Sequence, residues 1–141
     1  MKLHSLLLII AAGVAVAACN KAESPAEVSH DVADARADAQ RDVADAQADA
    51  NENLADAQED VADAQADHDT GDVADAAQDA SETTAEGNYK VAVAQADANH
   101  KIALEKCEAM SGSAQTDCKD RADSDYDYAK KQAEQRRDGT G

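Results

Sequence analysis

The side chains of this chain that could do chemistry are mostly carboxylates, thirty of them in 141 residues, with four histidines and three cysteines. His100 falls on an apolar helical stripe, which indicates a partly buried structural histidine, and nothing near it completes a metal-binding or catalytic set. His30 stands four residues before Asp34, a spacing typical of a pair on a helix surface. No Ser/His/Asp or Cys/His pattern and no glycine-rich phosphate loop is recognisable. We therefore expect no catalytic residue, no cofactor and no metal site, and a protein that is not an enzyme.

Composition favours extended helices or partial disorder over a globule with a pocket. The chain has no tryptophan, no phenylalanine and three tyrosines, and only eleven large aliphatic side chains follow residue 19. Each contributes about 1.5–3 kcal/mol when buried, which cannot offset the ordering of about 120 residues into a compact domain.

A short apolar stretch opens the chain and ends at Val16-Ala-Ala-Cys19. It resembles the lipobox and signal peptide of bacterial lipoproteins, in which the cysteine becomes the lipid-bearing N-terminus. The stretch from Ser5 to Ala18 has about 14 residues, whereas about 20 are needed to span a bilayer. The resemblance implies lipidation of Cys19 and a membrane anchor in the cell envelope, with a plain secretion signal or a retained membrane helix as alternatives. In the lipoproteins that this segment resembles, aspartate after the cysteine is associated with another location. Asn20 at that position therefore implies the outer membrane, with the protein facing the periplasm.

Charge is divided unevenly along the chain. Residues 22–89 hold 20 acidic residues against Arg36 and Arg41, whereas residues 90–141 hold 10 acidic and 9 basic residues. The acidic half lacks the cationic patch that nucleic acid or anionic headgroups need, so we expect no nucleic-acid partner.

Residues 67–72 loosely resemble the opening of an EF-hand loop, but Gly71 comes one position early and Gln78 replaces the closing glutamate. We expect loosely bound divalent cations at most.

The acidic half is built from a repeat of the type Asp-Val-Ala-Asp-Ala-Gln-Ala-Asp-Ala, with starts separated by 11, 11, 7 and 12 residues. This period predicts a helix with valine, leucine and alanine on one stripe and aspartates on the opposite side. Ser24-Pro25-Ala26-Glu27 predicts its start, with Ser24 as N-cap, Pro25 as the first helical residue and Glu27 closing a capping box. Because the aspartates repel one another, we expect a marginal lone helix that self-association, divalent cations or lower pH would stabilise. The stripe is therefore a candidate for forming a homo-oligomer.

The C-terminal half predicts two amphipathic helices separated by a stop at Gly112 and a new N-cap at Ser113. With Cys19 assigned to lipidation by the resemblance, Cys107 and Cys118 remain as one pair, and the oxidising periplasm favours a disulfide over a metal or redox pair. The predicted fold class is all-α: a long Ala/Asp-rich repeat helix, coiled-coil or partly disordered, followed by a disulfide-stapled helical hairpin.

The lipobox-like residues followed by an Ala-rich helix resemble the murein lipoprotein group in architecture, and Leu104–Gly112 with Cys118-Lys-Asp is similar to Cys-paired segments of bacterial envelope proteins. The chain lacks the terminal lysine of the murein group, so no covalent peptidoglycan link is expected. These resemblances imply a non-enzymatic, lipid-anchored helical spacer or oligomerising stalk in the periplasm. The alternative is an anionic stress-protective or cation-accumulating polymer, similar to hydrophilins. A third interpretation is a periplasmic holdase with helical arms.

The expected division of the chain is a signal peptide (1–18), a lipidated N-terminus and tether (19–24), an acidic repeat helix with a break near 68–72 (25–80), a linker (81–88), a helical hairpin (89–135) and a disordered tail (136–141).

Overall fold

The computed structural model describes residues 21–67 and 70–139 and consists there of three α-helices without a strand. They are α1 (Pro25–Ala66), α2 (Thr70–Cys107) and α3 (Ser113–Asp138). The predicted all-α class is confirmed, including a long repeat helix and a helical hairpin closed by a disulfide between Cys107 and Cys118.

Helix α1 begins where the capping signal predicts. The Glu27 amide donates to Ser24 Oγ at 3.3 Å, and the Ser24 amide donates to Glu27 Oε2 at 3.0 Å, with Pro25 in the first turn. These bonds satisfy two amides that the end of a helix otherwise leaves without partners. The predicted stripe is the buried side of the helix, with Val32, Ala39 and Ala57 most enclosed. It packs against α2 of the same chain, so the surface expected to drive self-association is covered internally.

Helix α2 continues through residues 81–88, so this segment is helical and is not the polar linker that the sequence predicted. Glutamate and alanine in this segment are good helix formers, and the segment has a partner because it faces α1. Gly87 is buried there, and a Cβ built on it would stand 3.1 Å from the Cβ of Ala50.

The three helices lie side by side in a single antiparallel layer with α2 in the middle. Helix α2 packs against both others, whereas the described parts of α1 and α3 do not contact each other. Gly87 is buried on the α1 side and Cys107 on the α3 side. These residues are 20 positions apart, about 200° around the helix at 100° per residue, so α1 and α3 occupy opposite sides of α2. The core between the helices is thin and consists largely of alanine, namely Ala39, Ala57, Ala96, Ala98, Ala122 and Ala133.

A short turn joins α2 to α3, and the disulfide crosses it with a Cα–Cα separation of 5.7 Å. Gly112 takes a left-handed φ of 60°, which glycine adopts without strain, and is itself the N-cap of α3, where Ser113 was expected. Helix α3 extends to Asp138, so the first part of the predicted tail is helical.

The N-terminal end of α1 lies beside the α2–α3 turn, because the Glu23 amide donates to the Glu108 carbonyl at 2.9 Å. We call this end, residues 21–24 and 108–112, the base. The other end, residues 53–67 and 70–84, is formed by α1 and α2 alone, and we call it the tip. Helix α3 covers α2 from the base to about Glu86, where Arg137 Nη1 lies 4.0 Å from a glutamate oxygen. The molecule is therefore a rod with a three-helix base and a two-helix tip.

Candidate functional site

The two faces of the α1–α2 pair differ in charge, and this segregation is the most distinctive feature of the described surface. Gln47 and Asp56 are nine residues apart on α1, about 180° around the helix, and Gln95 and Asp75 are about 200° apart on α2. The side chains on the same side of each helix as these glutamines form one face of the pair. The side chains on the same side as these aspartates form the other face. We call these the uncharged face and the acidic face.

On the acidic face, a groove runs between the helices at the tip. Of the residues that the structure describes, Lys90 at the inner end is the one basic side chain of the groove. The groove is lined by the carboxylates of Asp56, Asp60, Asp72, Asp75, Asp79, Glu82 and Glu86. Among the described residues, no three His, Cys, Asp or Glu side chains are grouped closely enough to hold a metal ion. The groove is thus a field of negative charge without a coordination site in that part of the chain.

On the uncharged face, a second groove is lined by Gln40, Gln47 and Gln95 together with the aliphatic Val43 and Ile102. Within the part of the chain that the structure describes, no acidic side chain lines this groove, and Arg36 is its one charged residue. Val43 and Ile102 are half-buried, and the three glutamines are exposed. This face therefore offers amides and aliphatic groups where the opposite face offers carboxylates.

A polar cluster joins α2 to α3. His100 Nε2 lies 2.6 Å from Asp123 Oδ1, and the His100 ring stacks on Tyr126 with centroids 5.0 Å apart. A hydrogen bond with Asp97 raises the pKa of Tyr126, because it favours the protonated phenol beside a negative charge. Lys130 Nζ lies 5.2 Å from the Tyr126 ring centroid. The His100 side chain is 20% exposed, and its contacts with Asp123 and Tyr126 join α2 to α3.

A second interhelical contact lies near the end of α3, where the Arg137 guanidinium carbon is 4.5 Å from the Tyr89 ring centroid. The hairpin predicted from the sequence ends at residue 135, and this cation–π pair was not predicted. Helix α3 continues past residue 135, and this continuation brings Arg137 level with Tyr89.

The base carries the residues closest in sequence to the predicted lipidation site. Glu23 is exposed, and partial desolvation together with the carboxylates of Asp31 and Glu108 raises its pKa. Gln115 is buried beneath the turn and donates to Glu108 Oε2 at 2.7 Å, while Lys119 Nζ pairs with the other oxygen at 2.6 Å. Met110 is 43% exposed on the turn.

The remaining predicted residues are placed as follows. Cys107 and Cys118 form the expected disulfide, with Cys107 1% exposed, whereas Cys19 lies outside the described residues. His30 Nδ1 lies 3.3 Å from Asp34 Oδ2, the expected surface pair. Of the EF-hand-like segment, Asp67 caps the end of α1 and Asp72 lies in the first turn of α2, and residues 68–69 are outside the described part.

No described helix is long and apolar enough to cross a bilayer. Comparison with protein-family models, curated proteins and solved structures found no match to this chain.

Proposed function

We propose that this protein is a non-enzymatic spacer of the bacterial cell envelope, anchored by lipid at its base and extending its acidic tip into the periplasm. The observation that carries the proposal is the 2.9 Å hydrogen bond between the Glu23 amide and the Glu108 carbonyl. It holds the start of α1 at the base, four residues after the cysteine of the lipobox-like stretch. A lipid on Cys19 would therefore tether the rod by one end, with the tip at the opposite end.

The dimensions suit a spacer. Helix α1 has 42 residues, which corresponds to about 63 Å at 1.5 Å per residue. Because α2 returns along α1, the far end of the rod is the connection between them. The tip segment 53–84 contains ten acidic residues and no lysine or arginine. Such a tip would repel the anionic headgroups of a membrane, which favours a rod that stands away from the surface.

Helical order supports the spacer over the protective polymer. A chain that protects by solvation is expected to remain mostly coil in water. Here the apolar stripe of α1 is covered by α2, and α3 is tied to α2 by a disulfide and by the His100–Asp123 contact. These contacts give the chain a defined length, which a spacer needs and a polymer does not.

The anchor is tested by replacing Cys19 in the full chain. We expect the wild-type protein to incorporate a fatty-acid label and to sediment with membranes, and Cys19→Ala to lose both properties. The double variant Cys107→Ala/Cys118→Ala is the matched control, because it removes the two disulfide-bonded cysteines but keeps Cys19 and should still be labelled. Unchanged labelling or membrane association of Cys19→Ala would refute the lipid anchor.

The spacer is tested by shortening the tip. Deleting residues 53–63 together with the facing residues 74–84 removes eleven residues from each helix, which is three turns and preserves the faces. The rod should shorten by about 16 Å, measurable by small-angle X-ray scattering of the chain from residue 20. A maximum dimension that does not change would show that the tip does not set the length.

A further inference from the structure

The uncharged face of the α1–α2 pair has no partner within the described chain, because α1, α2 and α3 form one layer. Globular domains normally pack two layers of secondary structure around a core. We propose that a second copy of this chain packs on the uncharged face, so that two layers form a symmetric dimer. This inference stands on the described helices alone and does not depend on the lipid anchor.

The packing of the single layer leaves apolar surface available for a dimer. The fully buried apolar residues are chiefly alanines, which contribute little area each. Val43, Val91 and Ile102 are only half-buried, and Val43 and Ile102 line the groove of the uncharged face. A second layer would remove these aliphatic groups from water, at a gain roughly proportional to the area covered.

Charge indicates what can occupy this face. The chain carries a net charge of −17, so the repulsion between two copies is smallest when they approach along a surface without carboxylates. A cationic partner would be drawn to the acidic face, and the uncharged face offers a nucleic acid or an anionic membrane little positive charge. A second copy presents glutamine amides, which both donate and accept hydrogen bonds and so can pair with one another. Two-fold symmetry brings one such face onto the same face of its partner.

The available area is sufficient. Helix α2 has 38 residues and is about 57 Å long, and two adjacent helices are about 20 Å wide. The face therefore measures about 1,100 Å² per copy, compared with about 800 Å² per partner in a standard stable interface.

Cysteine crosslinking of the full chain in intact cells tests the dimer. Reporter variants place one cysteine on the uncharged face, Gln47→Cys or Gln95→Cys, and matched variants place one on the acidic face, Asp56→Cys or Asp75→Cys. All four residues are exposed on the same two helices. With a short bis-maleimide, we expect a crosslinked dimer from the uncharged-face reporters and at least tenfold less from the acidic-face ones. Equal crosslinking from both faces, or none from the uncharged face, would overturn the proposal.

A substitution that adds a charge to the uncharged face distinguishes crosslinking through a specific dimer from crosslinking by random collision. Adding Gln47→Glu to the Gln95→Cys reporter would place like charges across the interface, and we expect at least a tenfold loss of crosslinked dimer. Ala48→Glu adds the same charge on the exposed outer edge of α1 and should leave crosslinking unchanged. The series is repeated with Cys19→Ala, so that loss of membrane association with retained crosslinking refutes only the anchor. Equal effects of the two glutamates would refute the uncharged face as the interface.

Discussion

Gly87 and Ala50 meet where α1 and α2 approach closely, since a Cβ on Gly87 would stand 3.1 Å from the Ala50 Cβ and 3.6 Å from its Cα. Glycine in a helix interior costs about 1 kcal/mol relative to alanine. Glycine is favoured here despite this cost, because the absence of a side chain lets the two backbones approach closely. The contact lies between the base and the tip, where the two antiparallel helices run side by side.

Enlarging Gly87 should therefore separate the helices. We expect Gly87→Leu to destabilise the fold by about 1–3 kcal/mol through overpacking, measured by thermal melting followed by circular dichroism. Ser81→Leu, at an exposed and uncharged position on the same helix, is the matched control and should change stability much less. A Gly87→Leu protein as stable as the control would show that α1 shifts without cost.

The disulfide should matter most for α3. Only Gln115, Ala122 and Ala133 of this helix are buried, so its docking depends on the Cys107–Cys118 link. Closing a loop with a sequence separation of 11 is worth about 3 kcal/mol in the chain-entropy model. We expect reduction to increase amide hydrogen exchange in 113–138 while leaving the α1–α2 pair protected. If exchange rose equally in all three helices, the model of a separately tethered α3 would be wrong.

The sequence predicted the helices well because their signals are local. The Ser24–Glu27 capping box sets the start of α1, and the repeat sets its buried stripe, both as the structure shows. What covers the stripe could not be read from it, because alanine and valine pack equally well against another copy or against α2. The polar composition of residues 81–88 hid a helix whose reason is tertiary, namely the fit of Gly87 against Ala50.

The sequence predicted only one of the two faces of the α1–α2 pair. The repeat placed the aspartates opposite the stripe, but the uncharged face arises only when α1 and α2 lie side by side and their glutamines share one surface. The His100–Asp123 contact likewise joins residues 23 positions apart, and helix phase alone does not determine that pairing.

The charge of the tip should make stability depend on ionic strength. Its carboxylates face one another across the acidic groove without a basic residue other than Lys90 at the inner end. Added salt screens their repulsion over a Debye length of about 8–10 Å at physiological ionic strength. We expect the melting temperature to rise with sodium chloride, and neutralising Asp75→Asn/Asp79→Asn to reduce that rise. Loss of stability with salt would indicate that exposed pairs such as Lys101–Asp42 dominate instead.

The capping box should make the start of α1 sensitive to acid. The hydrogen bonds with Ser24 lower the pKa of Glu27 from its ordinary 4.5, because they favour the carboxylate. A carboxyl whose pKa is lower in the folded than in the unfolded state contributes stability above the unfolded value and loses it as pH falls through the folded value. Ser24→Ala should cost about 1 kcal/mol at neutral pH, and the difference from wild type should shrink below pH 4.5. Urea unfolding followed by circular dichroism at several pH values measures both.

Glu23→Gln should have the opposite effect on stability, because partial desolvation and neighbouring carboxylates raise the pKa of Glu23. That variant should gain stability at neutral pH and lose the advantage once acid protonates Glu23 in the wild type.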